Sequence, residues 1–144
     1  MSIAKDINPT NESAATTDLA IEGIDEPVVL RYFETMNAGE YEATAVLFGD
    51  TGTMQPPFEQ PIEGKEAIAN YLKAEAKGMQ LSPKEGIAES LDNDQTQIQV
   101  TGKVQTPLFG VNVSWIFLLS AEREILHTRI KLLASPQELL SLRR

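Results

Sequence analysis

The sequence predicts one α+β domain in which helices come first and a curved antiparallel sheet then wraps over them. Three observations predict this. Apolar residues recur at helical spacing in the first half of the chain. From about residue 80 the period changes to two, in long runs separated by turn residues. The 144 residues, 42% of them hydrophobic, suffice for one sizeable core. Helices followed by a meander of strands define the α+β class, and here they enclose a cone-like cavity. No internal repeat and no second domain is visible.

Residues 1–20 are rich in Ser, Thr, Asn, Ala and Asp. They bury too little apolar surface to offset ordering, and read as a disordered polar tail. The folded domain is expected over 21–144. Its first helix starts near Asp25, with Asp25 as N-cap and Pro27 in the first turn. Val29, Phe33 and Met36 form one stripe, and Val28, Tyr32 and Met36 an adjoining one. Asn37-Ala38-Gly39 ends it. Residues 41–48 (YEATAVLF) read as a short helix stopped by Gly49-Asp50. TGTMQ reads as a strand ended by Pro56-Pro57, because proline cannot donate to a ladder. Residues 64–79 (GKEAIANYLKAEAKGM) give the clearest helix, closed by Gly78.

An irregular strand follows in QLSPKEGIAESL, then a turn at Asp92-Asn93-Asp94. QTQIQVTGKVQT alternates, with Ile98, Val100 and Val104 on one face. VNVSWIF alternates as well. It places Val111, Val113, Trp115 and Phe117 together, and Trp115 is the single tryptophan of the chain. Ala121-Glu122-Arg123 turns into the last strand, EILHTRIKLLA. There Leu126, Thr128, Ile130 and Leu132 share the more apolar face. Ser135-Pro136-Gln137-Glu138 forms a capping box that launches a short tail helix over 135–144.

Composition excludes several functions. Twelve basic and twenty-one acidic residues give a net charge of −9. Nucleic-acid binding needs a basic surface, and this balance argues against it. Anionic membranes are disfavoured as a permanent seat. With no cysteine there are no disulfides, no thiolate metal sites and no thiol catalysis. One histidine cannot make a histidine metal site. No secretory signal opens the chain, and no apolar run is as long as a membrane span. The expectation is a cytoplasmic protein.

Catalytic groups are scarce. The aspartates fall in the tail, at a helix start or in turns. His127 lies on the outer face of the sheet and takes no catalytic role. Glu34 and Glu75 read as solvated or ion-paired carboxylates on helices. No nucleophile elbow, glycine-rich phosphate loop or HExxH occurs. Tyr32 and Trp115 are the inward candidates. Each joins a large apolar body to one polar donor. As core aromatics they would find backbone partners; as cavity residues they could hold one oxygen of an otherwise apolar ligand.

Three stretches carry a resemblance. QPPF within TMQPPFEQPIEGKEAI, VTGKVQTPLFG, and LLASPQELL near the end resemble the C-terminal domain of the cyanobacterial orange carotenoid protein family, in order and with similar spacing. The match runs from about Ile21 to the end. The all-helical domain that precedes it in the two-domain protein is absent here, so the chain resembles the stand-alone homologues. The resemblance implies the nuclear-transport-factor-2-like fold and a non-enzymatic protein. It implies a ketocarotenoid, such as echinenone or canthaxanthin, held by a homodimer; because such a pigment is longer than one cavity, the empty protein is expected to be more monomeric. It implies pigment exchange with helical carotenoid proteins, transient membrane contact during uptake, and singlet-oxygen quenching. Tyr32 and Trp115 match the pair that donates to the pigment's ring carbonyl. Met36, Met79, Leu81, Val104, Thr106, Phe109, Ile130 and Leu132 match the apolar tunnel. Glu75 matches an acidic residue that pairs with the partner domain. Leu108 stands where the family often has tryptophan. The alternative is an enzyme of the same cone fold, of ketosteroid-isomerase or polyketide-cyclase type, with Tyr32 polarising a carbonyl.

Overall fold

The computed structural model describes residues 19–133. The helix expected at 135–144 and residues 1–18 of the tail expected over 1–20 lie outside the described residues; the end of that tail is corrected, because Leu19 is partly buried against the core. Helix α1 runs Pro27–Ala38 and helix α2 Tyr41–Val46. Strand β1 (Phe48–Gln55) and the short β2 (Ile62–Glu63) precede helix α3 (Lys65–Glu75). Strands β3 (Gln80–Ser90), β4 (Thr96–Gln105), β5 (Gly110–Leu119) and β6 (Ile125–Leu132) complete the domain.

Helix α1 begins as its proline requires, but its N-cap is Glu26 rather than Asp25. Glu26 makes no side-chain cap and instead pairs with Arg123 at 3.6 Å. Gly39 ends the helix at φ 75°, and its N–H donates to Met36 O at 3.1 Å. Two expected helix boundaries shift. Phe48 opens β1 instead of closing α2, because its fully buried ring belongs to the core. Helix α3 stops at Glu75, short of the expected Met79. Its chain then turns through Gly78 at φ 86°, with Met79 N–H donating to Ala76 O at 3.0 Å.

The six strands form one sheet in the order β2-β1-β6-β5-β4-β3. The expected all-antiparallel sheet is corrected at one pair: β1 runs parallel to β6, with Met54 opposite Thr128. β6 takes its direction from the hairpin with β5, and β1 takes its own from the turn toward α3. When the chain closes beside β1 those directions coincide. The other pairings are antiparallel and follow sequence order.

Inner-face residues of the sheet pack on the helices. Ile98, Val100, Val113, Trp115, Phe117 and Leu119 are buried against Val29, Tyr32, Phe33, Ile68 and Leu72. Helices α1 and α2 are joined by a buried hydrogen bond between the Thr35 and Thr44 hydroxyls at 2.6 Å. This core fills one end of the cone and leaves the other end open.

Candidate functional site

Strand β5 lies inside the sheet, flanked by β4 and β6. Trp115 sits opposite Val100 on β4 and Ile130 on β6. Directly opposed residues share a face, so Trp115 points inward together with Ile130. Val113 is opposite Leu132 by the same register. His127 falls on the opposite parity, where its Nδ1 meets the Thr53 hydroxyl. Burial first, and then the charge of Arg129, hold the His127 pKa below its ordinary value.

Tyr32 comes from α1, across the cone. Its ring lies edge-to-face on Phe33, centroids 5.2 Å apart, and on Phe117 at 5.1 Å. Phe33 in turn meets Trp115 edge-to-face at 4.8 Å. Four aromatic rings therefore lock one another at the closed end. Burial pushes the Tyr32 hydroxyl pKa well above the ordinary tyrosine value, so it remains a protonated donor.

These side chains line a cavity of about 270 Å³. All ten residues singled out from the sequence stand in its wall: Tyr32, Met36, Met79, Leu81, Val104, Thr106, Phe109, Trp115, Ile130 and Leu132. Others were not foreseen as wall residues. Met54, Pro56 and Pro57 arrive from β1 and its exit, and Tyr71 and Leu72 from α3. The double proline was legible as a strand stop, but not as cavity lining. Among the described residues, the wall's one charged residue is Glu75, which is exposed. It raises the pKa of Tyr71, after burial and Glu59.

Two devices shape the cavity. Asn37, near the C-terminal end of α1, donates to Leu81 O at 2.9 Å and accepts from Leu81 N–H at 2.7 Å. This pair of hydrogen bonds imitates a strand pairing and holds Leu81 in the wall. The Tyr41 hydroxyl donates to Ala76 O at 3.1 Å, anchoring the end of α3. Around the opening, Phe109 and Leu132 are 56% and 44% exposed, and the neighbouring Leu108 and Phe58 are 87% and 95% exposed. Tyr32 and Trp115 are both fully buried and both stand in the wall. No cluster of three or more His, Cys, Asp or Glu that could hold a metal occurs among the described residues.

An α+β cone with an apolar interior and two aromatic donors at its closed end is a small-molecule binding architecture. The family described as Nuclear transport factor 2 (NTF2) domain matches residues 25–128, and the chain belongs to it. Within that family the chain is similar to the orange carotenoid-binding protein of Synechocystis sp., with 41% identity across 99% of this chain and 46% of that protein. The matched part is the C-terminal domain, and the chain spans about half the length of the curated relatives it matches. The Anabaena (Nostoc) sp. orange carotenoid protein binding canthaxanthin superposes with a TM-score of 0.80 at 44% identity, covering 85% of this chain and 40% of that one. A putative isomerase from Bacillus subtilis, 17% identical with a TM-score of 0.61 over 76% of this chain and 90% of its own, shares the fold alone.

Proposed function

We propose that this chain is a non-enzymatic ketocarotenoid-binding and carotenoid-transfer protein. The observation that carries the reading is the pair of aromatic donors, on Tyr32 and Trp115, in the wall of one otherwise apolar cavity. A ketone oxygen buried in such a cavity needs a hydrogen-bond donor. Tyr32 and Trp115 supply two. Echinenone and canthaxanthin supply a ring ketone of this kind.

A cavity of about 270 Å³ is at the low end for a drug-sized ligand, and a full carotenoid is longer. The rest of the polyene must be covered by a second copy or by another protein. A two-fold homodimer holding one pigment is the simplest closed solution, with monomers when empty. The exposed apolar rim at Leu108, Phe109 and Leu132 suits both that contact and hand-over to helical carotenoid proteins. It also suits brief contact with a bilayer during uptake. No helix among the described residues is long and apolar enough to cross a membrane. A cytoplasmic carrier with a singlet-oxygen-quenching cargo is the setting we assign.

The enzymatic alternative needs a buried general base. The wall's carboxylate, Glu75, is exposed, and His127 is on the far side of the sheet. Expression in a ketocarotenoid-producing host tests the choice. We expect a coloured protein with about one pigment per two chains by size exclusion at two wavelengths. A colourless protein from a pigmented host, or a stable monomeric holoprotein with one pigment per chain, contradicts it.

A further inference from the structure

The chain has four methionines. Met1 lies outside the described residues, and the other three, Met36, Met54 and Met79, all line the cavity. Their exposure is graded. Met54 and Met36 are only 1% and 6% exposed, whereas Met79 is half-buried in the turn after α3. No cysteine competes for an oxidant. We propose that Met79 is an oxidative modification site, where peroxide converts the cavity wall from apolar to polar and so triggers ligand release.

The step is balanced. The Met79 thioether sulfur attacks one oxygen of hydrogen peroxide. An S–O bond forms and the O–O bond breaks. Sulfur loses two electrons, and the other oxygen leaves as water after proton transfer. The product is methionine sulfoxide, a strong hydrogen-bond acceptor, and reductases that act on sulfoxides reverse the change. Accessibility decides which methionine reacts first. Met79 reacts ahead of Met36 and Met54, and a bound ligand shields the inner two further.

The sulfoxide acts on the wall itself. Its S=O prefers water, and holding it against a polyene costs what burying a poorly partnered polar group costs. The expected consequence is release about tenfold faster. Further oxidation in the empty cavity would reach Met36, one helical turn from Tyr32 and in the same wall. A sulfoxide there competes for the tyrosine donor, so an oxidised empty protein reloads poorly.

This inference rests on the proposed carotenoid reading, and the test separates the two. The full chain is loaded with canthaxanthin in a producing host, treated with hydrogen peroxide, and freed of peroxide with catalase. Peptide mass mapping follows oxygen addition at each methionine, and absorbance follows pigment release to acceptor liposomes. We expect Met79 to be modified ahead of Met36 and Met54, and release to accelerate in proportion to its modification. The ratio of release after and before peroxide should fall to about one in Met79→Leu, which removes the sulfur. Met79→Gln should release faster without any peroxide, and sulfoxide reductase should restore the rate of the oxidised native protein. Modification of Met36 or Met54 ahead of Met79 overturns the proposal. So does an unchanged release rate from protein fully oxidised at Met79. If no pigment loads, the carotenoid reading fails, and the order of oxidation in the empty protein still decides whether Met79 is the accessible thioether.

Discussion

Phe33 meets Trp115 edge-to-face, with ring centroids 4.8 Å apart and planes at 85°. Tyr32 occupies the preceding position on the same helix and meets Phe33 in the same manner. One phenylalanine thus sets the orientation of both donors. Core packing and ligand binding are not rival roles for Trp115: its ring fills the core against Phe33, and it also stands in the cavity wall. Phe33→Leu should keep a packed core but remove the edge contacts, which contribute about 0.5–1.5 kcal/mol beyond their area. We expect a stability loss of about 1–3 kcal/mol and broadened pigment absorption as the donors lose a fixed geometry. A spectrum unchanged in width would show that Phe33 only fills space.

Asn37 offers a test of how the wall is held. Its amide makes two hydrogen bonds to the backbone of Leu81, at 2.7 and 2.9 Å. Asn37→Ala leaves both backbone groups of Leu81 without those partners. Denaturant unfolding should show a loss of about 1–3 kcal/mol, and amide exchange should quicken at Leu81 before it quickens in β5. Uniform loss of protection would contradict a local clamp.

Thr128 carries a buried hydroxyl with no hydrogen-bond partner among the described residues. The residue is fully buried, opposite Met54 on β1 and Phe117 on β5. Replacing the hydroxyl by a methyl keeps the branched shape and removes an unsatisfied polar atom. Thr128→Val should therefore raise stability by about 1 kcal/mol, read as a higher denaturant midpoint at an unchanged slope. A lower midpoint would reveal a partner for the hydroxyl, such as an ordered water.

Some of this arrangement was legible in the sequence and some was not. Val113, Trp115 and Phe117 alternate strictly, so their shared face followed from the pleat. Ile130 and Leu132 were placed by the same argument, and His127 was sent outward by it. The tyrosine stripe of α1 followed from helical spacing. Assigning the ten residues to one cavity needed the family resemblance, because no local period says which strands enclose a space. The parallel pairing of β1 with β6 was invisible for a related reason. Turn signals report the direction of consecutive strands, whereas β1 and β6 meet only after α3 and four other strands have intervened. Phe48 misled because a six-residue helix has too few turns to show where its period ends. Met54, Pro56 and Pro57 enter the wall only through that nonlocal closure.

The pH response of stability should involve His127. Its folded-state pKa is depressed, chiefly by burial and then by Arg129. The unfolded chain therefore takes up a proton that the folded chain resists. The contribution to stability is present above the ordinary histidine pKa of about 6.5 and is lost as pH falls through the lower folded value. Thermal unfolding between pH 7.5 and 5 should be less pH-dependent in His127→Gln than in the native protein. The ring is on the outer face, so pigment colour should not follow this titration. A colour change across that range that disappears in His127→Gln would place the ring in communication with the cavity.

The paired donors give the last and sharpest expectation. The Tyr32 hydroxyl and the Trp115 indole N–H share one wall, and burial keeps the tyrosine protonated far into the alkaline range. A hydrogen bond to a conjugated ketone draws electron density along the polyene and lowers its transition energy, so colour reports on the bond. Tyr32→Phe removes a donor and leaves the ring that contacts Phe33 and Phe117. Trp115→Phe also removes a donor but leaves a smaller ring, and adds the cost of a cavity. Each lost hydrogen bond should cost about 0.5–1.5 kcal/mol of binding. Both holoproteins should absorb to the blue of the native one and release pigment faster, and the double variant should be shifted further than either. Raising the pH of the native holoprotein to the ordinary tyrosine pKa of about 10 should leave its colour in place. Above that value the unfolded chain ionises Tyr32 while the folded chain does not, so stability should fall as pH rises. Native-like spectra and native-like release in both single variants would remove the paired-donor site, and would leave Trp115 as packing against Phe33 and nothing more.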